Sequence, residues 1–153
     1  IRELKAEEST DELARILGGA KITDTVRQNA KEMQELAAQI KPGDIIVAGK
    51  NFGCGSSREQ APEIIKALGV QCVIAKSFAR IFFRNSINNG LLLIEQPTLY
   101  DDIKEGDTIS VVMNEHVDYN GKTYPIASLP ENLMSIIRAG GLVKAMRKLN
   151  GLD

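Results

Sequence analysis

Three short apolar runs, "DIIVAG" from Asp44, "VQCVIAKS" from Val70 and "LLLIEQP" from Leu91, alternate with two helical stretches. This alternation is the strongest constraint on the fold. Ile45, Ile46 and Val47 in the first run are β-branched, and each run is too short for a helix. Near-continuous apolar character indicates strands covered on both faces. Between them, "EIIKAL" reads as a helix closed by Gly69, and "FARIFFRNSINN" as a second helix ending near Gly90. Strand, helix, strand, helix, strand gives βαβ units, and such units require a parallel sheet. The fold class is therefore α/β, a small, mostly parallel sheet flanked by helices.

The pattern changes after Pro97. "DTISVVM" and "HVDYNGKTYPI" read as strands, and Asn120-Gly121 predicts a tight hairpin turn. "LPENLMSIIRAGG" and "LVKAMRKLN" are helical, with Pro130 at a start and Gly140-Gly141 at a break. Upstream, Ser9 or Thr10 caps a short helix to Leu17, and "GGAKIT" breaks it. From Asp24 to Ile40, Val26, Ala30, Met33, Leu36, Ala37 and Ile40 recur at helical spacing, and "KPGD" then turns the chain. No repeat or low-complexity segment interrupts the chain, so residues 1–153 read as one domain.

Composition narrows the partners. Nineteen basic and 20 acidic residues give a net charge of −1, which offers no electrostatic case for nucleic acid or an anionic membrane. No apolar run is long enough to span a bilayer, and no secretory signal opens the chain. Two cysteines and one histidine are too few for a structural metal site. Cys54 in a glycine-rich loop and Cys72 in an apolar run fit a reduced, cytoplasmic setting. The chain opens at Ile1 rather than methionine, which reads as processing, truncation or part of a longer subunit.

The stretch "AGKNFGCGSSREQAP", Ala48 to Pro62, carries the chemistry. A strand, a glycine-rich turn and a helix together make an anion receptor: glycine admits close approach, and the amides that follow sit at the positive end of a helix. Gly53 and Gly55 bracket the turn; Ser56 and Ser57 add hydroxyls, and the planar fork of Arg58 suits a carboxylate. Neither a Walker loop nor G-x-G-x-x-G is matched. The competing reading makes Ser56 and Glu59 a capping box. Pro62 opposes that register, because it would fall in the second turn and remove a backbone hydrogen bond. Regular helix then begins near Glu59 or Gln60, leaving Ser56, Ser57 and Arg58 on a connecting turn. A hydrolase built on a serine or Cys54 with the sole histidine, His116, lacks G-x-S-x-G and any neighbouring base. What the loop offers is a polar, anion-ready half of a site without a strong acid or base.

"GKNFGCGSSREQAP", "VIAKSFARIFFRNSINNGLLLI" and "LPENLMSIIRAGGLV" together resemble the small, swivelling-domain subunits of the aconitase superfamily, over Lys41 to Leu149. The resemblance implies a single β/β/α swivelling domain, with 41–153 as the family-like part and 1–40 as an atypical helical part. It implies a hydro-lyase that removes and re-adds water on a hydroxy diacid. The nearest branch interconverts 2- and 3-isopropylmalate in leucine synthesis; homoaconitate and methylated malates are neighbouring substrates, and a non-catalytic domain that binds a carboxylate or a partner protein is the rival. A four-iron, four-sulfur cluster is implied in a large partner subunit, where its open iron acts as Lewis acid; this chain's two cysteines cannot hold it. Carried over by position, the resemblance implies that Ser56 is the base that moves the proton and that Gly55, Ser57 and Arg58 bind substrate. Ser77, as a helix N-cap, and Arg80, as a brace for the first loop, are support. Arg84, Asn85 and Asn88 read as polar packing or partner contacts. The family's opening D-N-x-x-T-D-x-I-I-P is absent, so "RELKAEES" falls near the loop that reads the variable part of the substrate, where Arg2 or Lys5 could act. Surface charge is the alternative for both.

Overall fold

A computed structural model of the chain describes residues 24, 31, 34, 35, 37–54 and 60–152. The chain divides into two compact units, Ile1–Ile40 and Lys41–Asp153. In the first, Asp24, Lys31, Gln34, Glu35 and 37–39 are helical, with Lys31 and Glu35 one turn apart at 4.0 Å. The short helix expected from Ser9 lies outside the described residues.

The second unit opens on the Lys-Pro-Gly-Asp turn, where the Asp44 carboxylate accepts the Lys41 N–H at 2.7 Å. Strand β1 (Ile45–Ala48), helix α1 (Gln60–Ala67), β2 (Cys72–Ala75), α2 (Arg80–Asn88) and β3 (Leu92–Glu95) follow in order. The three strands form a parallel sheet in the order β1-β2-β3. Ile45 lies opposite Cys72, and Cys72 opposite Leu92. β2 is central and wholly buried, whereas β1 is half-buried. Helix α1 is described over Gln60–Ala67, with Pro62 buried in it.

Beyond β3 come α3 (Leu99–Asp102), β4 (Ser110–Val112), β5 (His116–Tyr119), β6 (Lys122–Pro125), α4 (Glu131–Arg138) and α5 (Leu142–Leu149). β4, β5 and β6 make a second sheet, antiparallel and separate from the first. The β5–β6 hairpin turns at Asn120-Gly121, both left-handed.

Period-two alternation explains the layering. Cys72 and Ile74 from β2 and Ile94 from β3 join Leu99, Val117 and Tyr124 in one apolar cluster, with Ile45, Val47 and Leu92 packed against it. That cluster welds the two sheets. Val73 and Leu93, which point the other way, are also buried; α2 packs on β3, and α1, α4 and α5 pack on α2. The result is antiparallel sheet, parallel sheet, helices. Full burial of side chains such as Val73 and Ile74 stabilises by about 1.5–3 kcal/mol each.

Two junctions are fixed by polar groups that periodicity does not reveal. The buried Gln96 side chain accepts the N–H groups of Thr98 and Leu99, each at 2.7 Å, and so starts α3 in place of a conventional cap. Lys66 reaches from α1 to the carbonyls of Asn89, at 2.6 Å, and Gly140, at 3.0 Å. One ammonium thereby satisfies the carboxyl ends of α2 and α4, where positive charge is favoured. Gly90 sits at the same point with φ +72°, and a Cβ there would stand 2.5 Å from the Gly140 carbonyl carbon. Only a glycine lets these two helix ends meet.

Candidate functional site

In an open parallel sheet, ligands approach the carboxyl ends of the strands, where the connecting loops begin. Here β1 runs out at Ala48 into Gly49–Cys54, and β2 runs out at Ala75 into Lys76–Ala79. The two exits are tied together beyond the sheet. Phe52 N–H donates to the Ser77 carbonyl at 3.0 Å, and Ala79 N–H to the Phe52 carbonyl at 2.9 Å. Phe52 and Phe78 thus extend the parallel pairing by one bridge.

Side chains lock this frame. The Ser77 hydroxyl oxygen accepts the Asn51 N–H at 2.8 Å. Asn51 itself is left-handed, φ 58°, which turns the chain back so that Cys54 N–H reaches the Asn51 carbonyl at 3.2 Å. Phe52 stands edge-on to Phe82, centroids 5.3 Å apart, and Phe78 stacks on Phe82 at 6.4 Å. Phe83 completes the aromatic group, 6.0 Å from Phe78. Such pairs contribute about 0.5–1.5 kcal/mol each beyond the area they bury.

A second set of contacts closes the neighbouring rim. Lys76 Nζ lies 2.7 Å from both carboxylate oxygens of Asp101 and over the ring of Tyr100. Its charge is thus matched within the chain, and it is no open receptor for an anion. Tyr100 in turn lies beside Gly49.

The sequence-based site residues divide into two groups. Gly55, Ser56, Ser57, Arg58 and Lys5 lie outside the described residues. Ser77 and Arg80 are described; Ser77 does not sit as expected, and the loop that Arg80 is expected to brace lies outside the described residues. The N-cap of α2 is Ala79, which makes no side-chain cap bond, rather than Ser77. Ser77 instead holds the loop that leads to the glycines. Arg80 is the exposed first residue of α2 and has no hydrogen bond or ion pair among the described residues. The aromatic buttress of Phe52, Phe78, Phe82 and Phe83 escaped the sequence reading; four phenylalanines within about 30 residues, all flanking the two strand exits, were the available signal.

Among the described residues, the remaining reactive side chains point to no second centre. His116, on β5, stands 3.3 Å from Asp118 and 3.8 Å from Glu115, both on its own strand or next to it. Cys54 is exposed and Cys72 buried; burial pushes the Cys72 thiol up to about 12, so it stays protonated. An iron–sulfur cluster takes three or four thiolates, and these two sulfurs do not fit one. Among the described residues no group of three or more His, Cys, Asp and Glu is placed to hold a metal ion, and no helix is long and apolar enough to cross a membrane.

A parallel sheet whose strand exits frame a glycine-rich loop, backed by an antiparallel sheet, defines a class. Residues 6–99 match the family model described as the aconitase C-terminal domain, and the chain belongs to that family. More narrowly, it is 78% identical over 119 residues to the 3-isopropylmalate dehydratase small subunit of Lachnospira eligens, covering 78% of this chain and 73% of that one. The corresponding subunit of Heliobacterium modesticaldum is 56% identical over 112 residues, 71% of this chain and 68% of that one. A crystal structure of 3-isopropylmalate dehydratase from Methanocaldococcus jannaschii superimposes with a TM-score of 0.71 at 38% identity, covering 97% of this chain and 81% of that one. The β/β/α expectation agrees with both the layering and this likeness.

Proposed function

We propose that this chain is the small subunit of an iron–sulfur hydro-lyase that interconverts 2- and 3-isopropylmalate in leucine synthesis, in the cytoplasm. The names of its relatives favour this substrate over homoaconitate or methylated malates. Lys41–Asp153 acts as the swivelling domain, with Ile1–Ile40 as its N-terminal part. The observation that carries the reading is one of position. β1 ends in a turn locked by Ser77, α1 is described from Gln60, and Ser56, Ser57 and Arg58 fall between these two in the sequence.

In this role Ser56, as its alkoxide, takes the proton from the carbon beside the substrate carboxylate while the C–O bond on the neighbouring carbon breaks and hydroxide leaves. The double bond is then rehydrated in the opposite sense, Ser56 returning its proton to the carbon that lost the hydroxyl. Arg58 and Ser57, with the Gly55 amide, bind the carboxylate and stabilise the serine oxygen when it carries charge. Lys5 meets the variable part of the diacid. The cluster belongs to a large subunit, because this chain lacks the thiolates for it.

The test combines the purified chain with the large subunit of the Lachnospira eligens enzyme, its cluster loaded under anaerobic conditions. Chromatography follows the two isopropylmalates. The unaltered chain supports turnover; Ser56→Ala lowers it about 10³-fold while the two subunits still associate. Normal turnover by Ser56→Ala removes the base assignment.

A further inference from the structure

Helix α2 carries its charges the wrong way round for its own stability. Arg80 is its first residue and Arg84 lies one turn on, so two cations share one face near the positive end of the helix. The helix contains no acid. Both arginines are exposed, and neither has a hydrogen bond or ion pair among the described residues. Between them Ile81 is 53% exposed. Phe82 and Ser86 on the opposite face are buried, so the helix cannot rotate to hide the isoleucine. By contrast, the carboxyl end of the same helix receives a cation from Lys66 of α1.

We infer that the Arg80–Ile81–Arg84 face of α2 is the surface on which the large subunit docks, and that the large subunit presents carboxylates around an apolar seat there. A second copy of this chain does not fit, because it would bring four unpaired guanidinium groups together. A small diacid does not account for the exposed isoleucine. The face starts three residues after Ser77, so a protein seated on it also covers the turn that Ser77 holds. This inference rests on the function proposed above and adds to it a location and a chemistry for the partner.

Calorimetry of the full chain with the Lachnospira eligens large subunit, at low and at raised salt, tests it. Unaltered chain binds, and more weakly as salt rises. Arg84→Glu, Arg80→Glu and Ile81→Glu each weaken binding about tenfold or more; circular dichroism and thermal melting confirm that each variant is folded. With enough large subunit to saturate Arg84→Glu, kcat returns to the unaltered value. Binding by all three variants within about twofold of the unaltered chain overturns the surface and leaves the proposed function standing. No binding by the unaltered chain overturns both. A raised KM for isopropylmalate in Arg84→Glu, with subunit affinity unchanged, overturns the docking role and assigns the arginine to substrate.

Discussion

Phe82 occupies the space that any side chain on Gly53 would need. A Cβ built on Gly53 stands 2.5 Å from the Phe82 Cβ, nearer still to the ring, and the backbone there has φ +84°. Gly53→Ala therefore carries two penalties, left-handed strain and overpacking, together about 3 kcal/mol. Phe82→Leu alone costs about 1–2 kcal/mol as a cavity. The double variant is less unstable than the two effects summed, since the smaller side chain relieves the clash. Urea unfolding of the four proteins measures this, and additivity refutes the contact.

Ser77→Ala removes the acceptor for the Asn51 N–H. The stability loss is about 1 kcal/mol, and kcat of the assembled enzyme falls while affinity for the large subunit holds. Ser77→Thr, which keeps the hydroxyl, restores part of the rate. An unchanged kcat in Ser77→Ala separates the turn from catalysis.

Acid stability depends on the second sheet. The Lys122 ammonium at 2.7 Å and then the Tyr124 hydroxyl at 2.6 Å hold the Asp102 carboxyl below its ordinary value. The Tyr119 hydroxyl and then the Lys104 N–H do the same for Asp107. Below about pH 4 the unfolded chain takes up protons that the folded chain still refuses. Stability present above that pH is lost as pH falls toward the depressed folded values. The melting temperature drops over this range, and Asp102→Asn with Asp107→Asn flattens the drop; an equally steep decline in that double variant contradicts the assignment.

Ser86 is fully buried in α2, and its hydroxyl has no partner among the described residues. Ser86→Ala removes an unpaid desolvation and improves helix propensity, raising stability by about 1 kcal/mol. A lower melting temperature would show that the hydroxyl is bonded to water.

The two thiols differ in access. Iodoacetamide labels Cys54 in the folded chain and spares Cys72, which burial keeps protonated. Intact-mass measurement shows one adduct before denaturation and two after it. Two adducts on the folded chain contradict the buried position.

The parallel sheet, its order of elements, the Asn120-Gly121 hairpin and the helix breaks at Gly69, Gly90 and Gly140-Gly141 were legible in the sequence, because each rests on local physics. β-branched runs, left-handed turn residues and prolines act within a few positions of themselves. Ser77 shows the limit. Its place before a helix reads as a cap, but its hydroxyl spans 26 residues to Asn51, a partner that exists only once β1 and β2 lie side by side. The same holds for Gly53 against Phe82, Lys66 between two helix ends, and the bare arginines of α2. Spacing along a chain reports which face a residue shares with its neighbours; it carries no information on what a second element brings to that face. The alternation of strands and helices thus determined the architecture and where a site would open, while pairing across the strand exits decided what holds it.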